Sequence, residues 1–304
     1  MAEIRIIASG LRFPEGPVAM ADGSVVLGEI AGGAVTRIAP DGRKSVLAQA
    51  GGGPNGLALG PDGALYLCNN GGNEYAQGGF LSTGPSKDYK GGSIQRIDTR
   101  TGETRTLYTH CGPHRLSAPN DIVFDREGGF YFTDLGKRRA RDRDHGGLYY
   151  ARPDGAKIEE LVYPMLSPNG VGLSPDEKVL YVADTETSRL FAYDILSPGV
   201  VKQEPFPAPY GGRLVCGLPG FQRFDSLAVD ADGNICVATL ISGHITVIAP
   251  DGRLVRQVKM PDVYPTNICF GGPGLKTAYI TLSGKGELAA MEWPEAGLRL
   301  NFAA

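Results

Sequence analysis

Six short stretches of the sequence each place a polar residue after a proline, or after Phe224 in the fifth stretch, just before an apolar run. The six positions are Glu15, Asn55, Asn120, Asn169, Asp225 and Thr266. The set contains two carboxylates and three amides, and neither lysine nor histidine. Oxygen donors of this kind, if they met at one point, would suit a hard divalent cation such as Ca²⁺, Mg²⁺ or Mn²⁺. The residue types therefore predict cation binding, provided that the fold brings these distant positions together.

Each polar position begins a repeated unit. An apolar run of about six residues meets a turn, often "PDG" or "ADG", and a second β-rich run follows, as in "PNGLALGPDGALYLCN". Asp-Gly between alternating apolar runs indicates a hairpin, because glycine accepts the positive φ that a tight turn needs. Further strand-like runs follow within most units. Units of roughly 50 residues with four short strands are typical of propellers. The sequence predicts an all-β, six-bladed β-propeller with a central channel, as a single domain over residues 1–304, in which the N-terminal run "EIRIIAS" completes the last blade.

A propeller would place the six polar residues on a ring, because the first strand of each blade lines the central channel. Without a cation, Glu15 and Asp225 would repel each other across a desolvated channel. Zinc is less expected, because the ring has no histidine or cysteine. The alternative is that these residues only cap turns, as Asn and Asp commonly do.

A second ring is predicted where the second strands end. Its members are Glu29, Asn69, Asp134, Asp184 and Thr239. We expect Asp134 and Asp184 to orient the metal ligands; the alternative is that they cap their own turns. Loops 71–92 and 136–147 should lie over the channel mouth and form a substrate rim or lid. The arginines of the second loop could attract an anion, although Asp142 and Asp144 favour a solvated loop instead.

Composition excludes several classes of protein. The net charge is −3, and we find no basic stripe with interleaved aromatic residues, so nucleic acid is not an expected partner. We find no apolar stretch long enough to cross a membrane and no signal peptide. The five cysteines form no CxxC pair, which favours reduced thiols in a cytoplasmic protein. The GxSxG elbow of serine hydrolases is also missing. The oligomeric state is not indicated.

Several phrases resemble one family in the order in which they occur. They are "FPEGPV", "SAPNDIVFDREGGFYFTD", "LSPNGVGLSPDEKVLYVADT" and "FDSLAVDADGNICVAT". The sequence is similar to the family of senescence marker protein/regucalcin and the bacterial gluconolactonases. This resemblance implies a six-bladed propeller with a divalent cation on its axis, and lactone hydrolysis in many members.

The resemblance also implies roles for individual residues. Glu15, Asn169 and Asp225 match the family's metal ligands. Asn120 matches an asparagine that binds metal or substrate, and we include it among the predicted ligands. Two departures stand out: Ala118 replaces an arginine of the regucalcin branch, and Phe224-Asp225-Ser226 replaces the usual Pro-Asp-Gly. The substrate therefore does not carry over, whereas the metal set does.

The resulting hypothesis is a metal-dependent lactonase that opens a sugar-acid lactone. Asp225 is the first choice for the general base, with Glu15 second and a water activated by the cation as the alternative. Asn55, Asn120 and Arg115 are predicted to bind substrate, with a surface arginine as the favoured alternative for Arg115. Ca²⁺ is the expected cation, with Mg²⁺, Mn²⁺ and Zn²⁺ as alternatives. Two other functions stay open: a phosphotriesterase or arylesterase on the same metal site, and a non-enzymatic ligand-binding propeller with structural calcium.

Overall fold

Six antiparallel sheets form a ring of blades around a central channel, so the predicted six-bladed β-propeller is confirmed. The computed structural model describes residues 3–77 and 80–303. The strands of blades 1 to 3 are, in order from the channel outwards, Pro14–Ala19, Val25–Glu29, Ala34–Ile38 and Lys44–Gln49; Pro54–Leu59, Leu65–Asn69, Ser93–Ile97 and Thr104–Tyr108; and Pro119–Phe124, Phe130–Asp134, Gly146–Ala151 and Ile158–Met165.

The remaining blades have the same order. Their strands are Pro168–Leu173, Val179–Asp184, Arg189–Ser197 and Arg213–Gly217 in blade 4, with the short strand Val200–Val201 added to its third strand; Arg223–Val229, Ile235–Leu240, His244–Ile248 and Leu254–Lys259 in blade 5; and Pro265–Gly271, Thr277–Leu282, Glu287–Glu292 and Arg5–Ala8 in blade 6. Short 3₁₀ helices occur at Pro209–Gly211 and Pro273–Leu275. No helix within the described residues has the length and apolar character needed to cross a bilayer.

Blade 6 is built from both ends of the chain. Its outermost strand is Arg5–Ala8, which pairs antiparallel with Glu287–Glu292, placing Arg5 opposite Ala290 and Ile6 opposite Ala289. The prediction that the N-terminal run completes the last blade is therefore confirmed. This pairing closes the ring through a sheet, which leaves no open gap between the first and last blades.

The predicted hairpin turns connect the first and second strands. Gly63 has a φ of 71° in the turn of blade 2, which only glycine adopts without strain. Blade 4 has a turn one residue longer, and Glu177 adopts a φ of 57° there. All these turns lie at the end of the strands opposite to the polar ring.

Apolar side chains fill the spaces between neighbouring blades. Tyr66 from blade 2 packs edge-on against Phe124 from blade 3, with ring centroids 5.0 Å apart. Phe130 and Phe132 join the same cluster and are fully buried. Large buried aromatic rings of this kind contribute much of the free energy of folding. This packing fixes each blade against the next and so sets the positions of the channel-lining strands.

Candidate functional site

A cavity of about 440 Å³ opens at one mouth of the channel. It is lined by five of the six predicted ring residues, which are Glu15, Asn55, Asn120, Asn169 and Asp225. These five residues come from five different blades and are all buried. The structure thus brings together positions that are up to 210 residues apart in the sequence.

A β-bulge positions each of these side chains. In blade 1, Glu15 pairs with Gly28 and the next paired residue is Val18, opposite Val26, so the strand is irregular directly after the ring residue. The same shift occurs in blades 2 to 5. Bulges twist a strand locally and re-aim side chains next to active sites. The proline that precedes four of the ring residues needs no hydrogen bond to its nitrogen, which suits the first residue of a strand.

Thr266 is the ring position that does not line the cavity. In blade 6 the irregularity is shorter, because Pro265 and Asn267 pair with Leu282 and Thr281. The Thr266 hydroxyl bonds Pro14 O at 3.2 Å and lies 2.7 Å from the Ser283 hydroxyl. Its neighbour Asn267 instead donates from Nδ2 to Glu15 Oε2 at 3.2 Å. Among the described residues, the first strand of blade 6 therefore supports Glu15 and adds no polar ring residue to the cavity.

The two carboxylates of the cavity oppose each other's ionisation. Burial raises the pKa of Glu15 to about 7, although hydrogen bonds from Gly16 N and the Asn267 amide favour its charged form. Burial, and then the nearby charge of Glu15, raise the pKa of Asp225 well above its ordinary range. Two desolvated carboxylates in one cavity form a local excess of negative charge, which a cation would relieve.

The amides supply oxygens that lack hydrogen-bond partners within the part of the chain that the structure describes. Asn55 Oδ1 and Asn120 Oδ1 are both buried, and neither accepts a hydrogen bond from the described residues. Such unpaired carbonyl oxygens are costly unless a ligand completes them. This arrangement fits a divalent cation held by Glu15, Asp225 and amide oxygens, because hard cations take these donors. His, Cys, Asp and Glu do not form a group of three around a metal position within residues 3–77 and 80–303, so amides would have to complete the ligand set.

Asn169 fits this set after a rotation of its amide. Its Nδ2 donates to Asp225 Oδ1 at 2.6 Å, and its Oδ1 accepts from the Ser226 hydroxyl at 3.2 Å. A half-turn of the amide exchanges oxygen and nitrogen. The oxygen of Asn169 would then lie beside a carboxylate oxygen of Asp225, an arrangement that a cation between them would favour.

The second ring holds the backbone that leads into the first. Asp134 accepts hydrogen bonds from Ser117 N and Ala118 N, both at 2.7 Å, directly before Pro119-Asn120. Asp184 accepts from Ser167 N at 2.9 Å, directly before Pro168-Asn169. Each aspartate also bonds its own turn, through Gly136 N or Thr187 N. These contacts reach the backbone of the ring segments, and neither aspartate bonds a ring side chain within residues 3–77 and 80–303.

Arg115 lies away from the cavity wall. It is exposed on the small hairpin of His110–Cys111 and His114–Arg115, and its guanidinium bonds the Lys90 carbonyl. The cationic groups that do line the cavity are Lys137, Arg138, Arg143 and Arg223. The predicted contact of Arg115 with substrate therefore gains no support from its position.

Two buried charged groups were not expected from the sequence. Lys137 is 3 % exposed and lines the cavity, although the charged composition of its loop predicts a solvent-exposed segment. Asp121, next to Asn120, lies deeper in the channel, where burial raises its pKa to about 8. Its Oδ2 accepts from Val171 N at 3.2 Å. The only signal for Asp121 in the sequence is its place beside a ring residue.

The predicted rim over the channel mouth is partly formed by loop 71–92. A hairpin of Asn73–Tyr75 and Ser82–Pro85 extends from blade 2, and Gly78 and Gly79 within it lie outside the described residues. Phe80 on this hairpin contacts Tyr264 before blade 6, with ring centroids 4.6 Å apart, and Tyr75 contacts Phe13 at 5.4 Å. All four rings line the cavity. The hairpin thus reaches across the mouth towards blades 1 and 6.

The sequence and the fold are both similar to known proteins. The family model described as "SMP-30/Gluconolactonase/LRE-like region" matches residues 13–284. The chain is 31 % identical over 260 residues to lactonase drp35 of Staphylococcus saprophyticus, which covers 85 % of this chain and 72 % of that protein. It is 25 % identical over 308 residues to a gluconolactonase of Zymomonas mobilis, covering 92 % of this chain and 79 % of the other.

Solved structures with the same fold include two relatives. The gluconolactonase XC5397 of Xanthomonas campestris superposes with a TM-score of 0.76 at 24 % identity, covering 96 % of this chain and 90 % of that one. Regucalcin of Agrobacterium tumefaciens, described as a calcium-binding protein, gives a TM-score of 0.74 at 18 % identity, covering 98 % of both chains. These two likenesses concern the fold. The family match over most of its length shows that the chain belongs to the SMP-30/gluconolactonase/LRE-like family of β-propellers.

Proposed function

We propose that the protein is a divalent-cation-dependent lactonase that opens a sugar-acid lactone to the hydroxy acid. Relatives named lactonase and gluconolactonase support lactone hydrolysis. The observation that carries the cation is the cavity itself, where two buried carboxylates meet amide oxygens without partners. A small hydroxylated ring is consistent with a cavity of about 440 Å³.

Glu15, Asn120, Asn169 and Asp225 would hold the cation, with Ca²⁺ first and Mg²⁺, Mn²⁺ or Zn²⁺ as alternatives. A bound cation supplies Lewis-acid polarisation of the substrate carbonyl. It also favours the ionised forms of Glu15 and Asp225, whose pKa values burial otherwise raises. The calcium-binding description of the Agrobacterium regucalcin agrees with the preference for calcium.

The chain's own residues would position the reactants and move one proton. Asp225 accepts a proton from the attacking water at a carboxylate oxygen, with Glu15 as the second candidate. The amide of Asn55 and that of Asn120, where free of the cation, bond substrate hydroxyl groups. The rings of Phe13, Tyr75 and Phe80 border the cavity and give it an apolar side. Ring opening then breaks the bond between the carbonyl carbon and the ring oxygen. The ring oxygen takes up the proton held by Asp225, and the new carboxylic acid loses its own proton to solvent, so the carboxylate of Asp225 is restored.

We also place the protein in the cytoplasm, with a small-molecule lactone as its partner. All five cysteines are free in the structure, and Cys68 and Cys236 are buried. Free thiols are usual in a reducing compartment.

The direct test is a turnover panel on metal-loaded and chelator-treated protein. Aldonolactones should be hydrolysed only with the metal present, while a phosphotriester and an aryl ester serve as competing substrates. Asp225→Ala should lose both bound metal and turnover. Hydrolysis that persists in chelator, or in Asp225→Ala with an empty site, would contradict the proposal. Stoichiometric calcium binding without turnover of any substrate would instead identify a ligand-binding propeller.

A further inference from the structure

One side of the cavity carries an excess of cationic groups. The charged residues that line the cavity are Glu15, Asp225 and Glu186 against Lys137, Arg138, Arg143 and Arg223. A divalent cation at the ring would neutralise Glu15 and Asp225, which leaves Glu186 alone against four cations. The whole chain has a net charge of −3, so this concentration opposes the general charge of the protein.

The acidic residues of loop 136–147 do not neutralise these cations. Asp144 forms a bidentate pair with Arg139, at 2.6 and 3.0 Å, and Asp142 also pairs with Arg139. Arg139 thus forms ion pairs with both carboxylates of its loop. The other cations of the loop line the cavity and form no ion pair with these two carboxylates within the described residues; they are Lys137, Arg138 and Arg143.

Lys137 is the most unusual member of this group. It is 3 % exposed, and its ammonium is held by two neutral oxygens, Asn70 O at 2.7 Å and Asn73 Oδ1 at 2.8 Å. The ring of Tyr89 lies 4.8 Å away. No ion pair is formed by Lys137 with any described residue; Asp134 and Asp144 act on it only over a longer range. An ammonium has three donors, and an unpaired buried charge is costly unless something offsets it. Burial accordingly lowers the pKa of Lys137 to about 8.

Glu186 holds two arginines at the opposite end of the same wall. Arg223 Nη2 lies 3.1 Å from Glu186 Oε2, and Arg143 Nη1 lies 4.0 Å from Glu186 Oε1. Arg143 also donates from Nε to Asp144 O at 3.4 Å and from Nη2 to Leu135 O at 3.3 Å. Each guanidinium has five N–H donors, so these contacts still leave donors of both arginines for a ligand. Backbone pairing of Arg138 with Arg143 orders the loop that presents these groups. The cationic wall, defined as Lys137, Arg138, Arg143 and Arg223, is therefore built from blades 3 and 5 in a fixed geometry.

We propose that the cationic wall binds a second, anionic group of the substrate, so that the lactone is an acidic one carrying a carboxylate or a phosphate. This inference rests on the proposed lactonase function. Arginine forks and a lysine point charge both suit these anions. The neutral half of the cavity, with its aromatic rings, would contact the sugar ring.

The test compares two lactones that differ only in this group. D-Glucono-1,4-lactone is neutral, and D-glucaro-1,4-lactone carries a carboxylate at the far end of the same ring. With metal-loaded wild-type protein, we expect kcat/KM to be at least about tenfold higher for the glucarolactone. High salt should reduce this preference, because added ions screen the wall. Equal kcat/KM values for the two lactones would overturn the inference.

Lys137→Met separates recognition from a structural role. It should lower kcat/KM for the glucarolactone by about 10- to 100-fold while changing the gluconolactone by less than about threefold. Lys178→Met, at an exposed turn on the opposite face, is the matched control and should change neither. An equal loss for both lactones in Lys137→Met would contradict the proposal. If Lys137→Met fails to fold, Arg223→Gln takes its place with the same expectation.

A binding measurement keeps this test separate from the lactonase hypothesis. Calorimetric titration with D-glucarate, 6-phospho-D-gluconate and D-gluconate probes the wall without turnover. Tighter binding of glucarate or of phosphogluconate than of gluconate supports the wall, and the stronger of the two identifies carboxylate or phosphate. If no lactone is hydrolysed but one of these two anions binds more tightly than gluconate, the lactonase function fails and the anion site stands. If gluconate binds as tightly as both of them, the anion site fails.

Discussion

At the scale of single residues, the cavity depends on polar atoms that the folded chain leaves unsatisfied. Asn55 Oδ1 and Asn120 Oδ1 are buried without hydrogen-bond partners among the described residues. The two asparagines are nevertheless expected to bind different ligands. Asn120 is a proposed metal ligand, whereas Asn55 is proposed to contact only substrate. This difference can be measured.

Asn120→Ala should lower the affinity for the cation, and Asn55→Ala should leave that affinity unchanged while raising KM. In metal-free protein, each substitution should stabilise the fold by about 1 kcal/mol, because a buried carbonyl without a partner is removed. Metal content and chemical denaturation provide the two measurements. Unchanged metal affinity in Asn120→Ala would remove Asn120 from the ligand set.

Lys137 gives a prediction about pH. Burial lowers its pKa from the ordinary value of 10.5 to about 8, with Asp134 and Asp144 opposing the change. Between these two pH values the unfolded chain binds a proton that the folded chain does not, so this group makes the fold more stable as pH rises. The total gain is up to about 3 kcal/mol, at about 1.4 kcal/mol for each tenfold change in proton affinity.

Lys137→Met should remove this gain. The difference in unfolding free energy between wild type and variant, measured in urea from pH 7.5 to 10.5, should shift in favour of wild type as pH rises. Lys178→Met should show no such shift. A pH-independent difference for Lys137→Met would mean that the ammonium is not desolvated.

The ring residues could be predicted from the sequence because they recur in each blade. The burial of Lys137 could not be predicted, because no equivalent lysine recurs in the other blades. In each blade, a polar residue follows the proline, or Phe224 in blade 5, near the start of the first strand. The repeat alone therefore predicted that these polar residues lie on one ring around the channel. Lys137 lies in "GKRRARDRDHGG", whose local composition indicates a solvated loop. Its burial depends on Asn70, Asn73 and Tyr89 of blade 2, which no local pattern connects to it. Arg115 was close in sequence to Asn120, but a small hairpin turns it outwards.

At the scale of structural elements, the aspartate at the end of a second strand holds the start of the first strand of the same blade. Asp134 and Asp184 bond the backbone directly before Asn120 and Asn169, which aligns the bulged strands with the channel. These bonds are compatible with both interpretations of the aspartates. They could orient the metal ligands, as predicted, or only cap their own turns. The sequence indicated the residues but not that they act through backbone N–H groups.

Asp184→Asn should weaken cation binding by about 10- to 100-fold, because an amide keeps only one of the two acceptor oxygens that Ser167 and Thr187 use. The expected loss of stability is about 1–3 kcal/mol. Competition with a chromophoric chelator measures the affinity. Asp176→Asn, in an exposed turn of the same blade, is the control and should bind the cation as wild type does. Unaltered binding in Asp184→Asn would show that Asp184 only caps its turn.

At the scale of the whole molecule, the repeat predicted the number of blades, their order and the closing strand. The sequence did not show the departure of blade 6, because the difference is one of strand register: Thr266 occupies a shorter bulge and turns to Pro14 and Ser283. Register in a single blade depends on its pairing with the neighbouring strands, which a residue pattern alone does not specify.

Deleting residues 1–8 should destabilise the whole ring. The edge of Glu287–Glu292 would lose its partner strand, and the gap between blades 6 and 1 would open. We expect a lower Tm and weaker cation binding than in a control lacking only residues 1–3. An unchanged Tm would show that the ring does not need this strand.

The closure of blade 6 by both ends of the chain has a consequence for synthesis. Arg5–Ala8 is synthesised long before its partner Glu287–Glu292. Blade 6 packs against the blade of Glu15 on one side and that of Asp225 on the other, and it is complete only when these two strands meet. A nascent chain therefore carries no finished cavity until Glu287–Glu292 has emerged, and such distant pairings fold slowly. Any fragment that ends before blade 6 should lack the proposed lactonase activity, however many intact blades it contains.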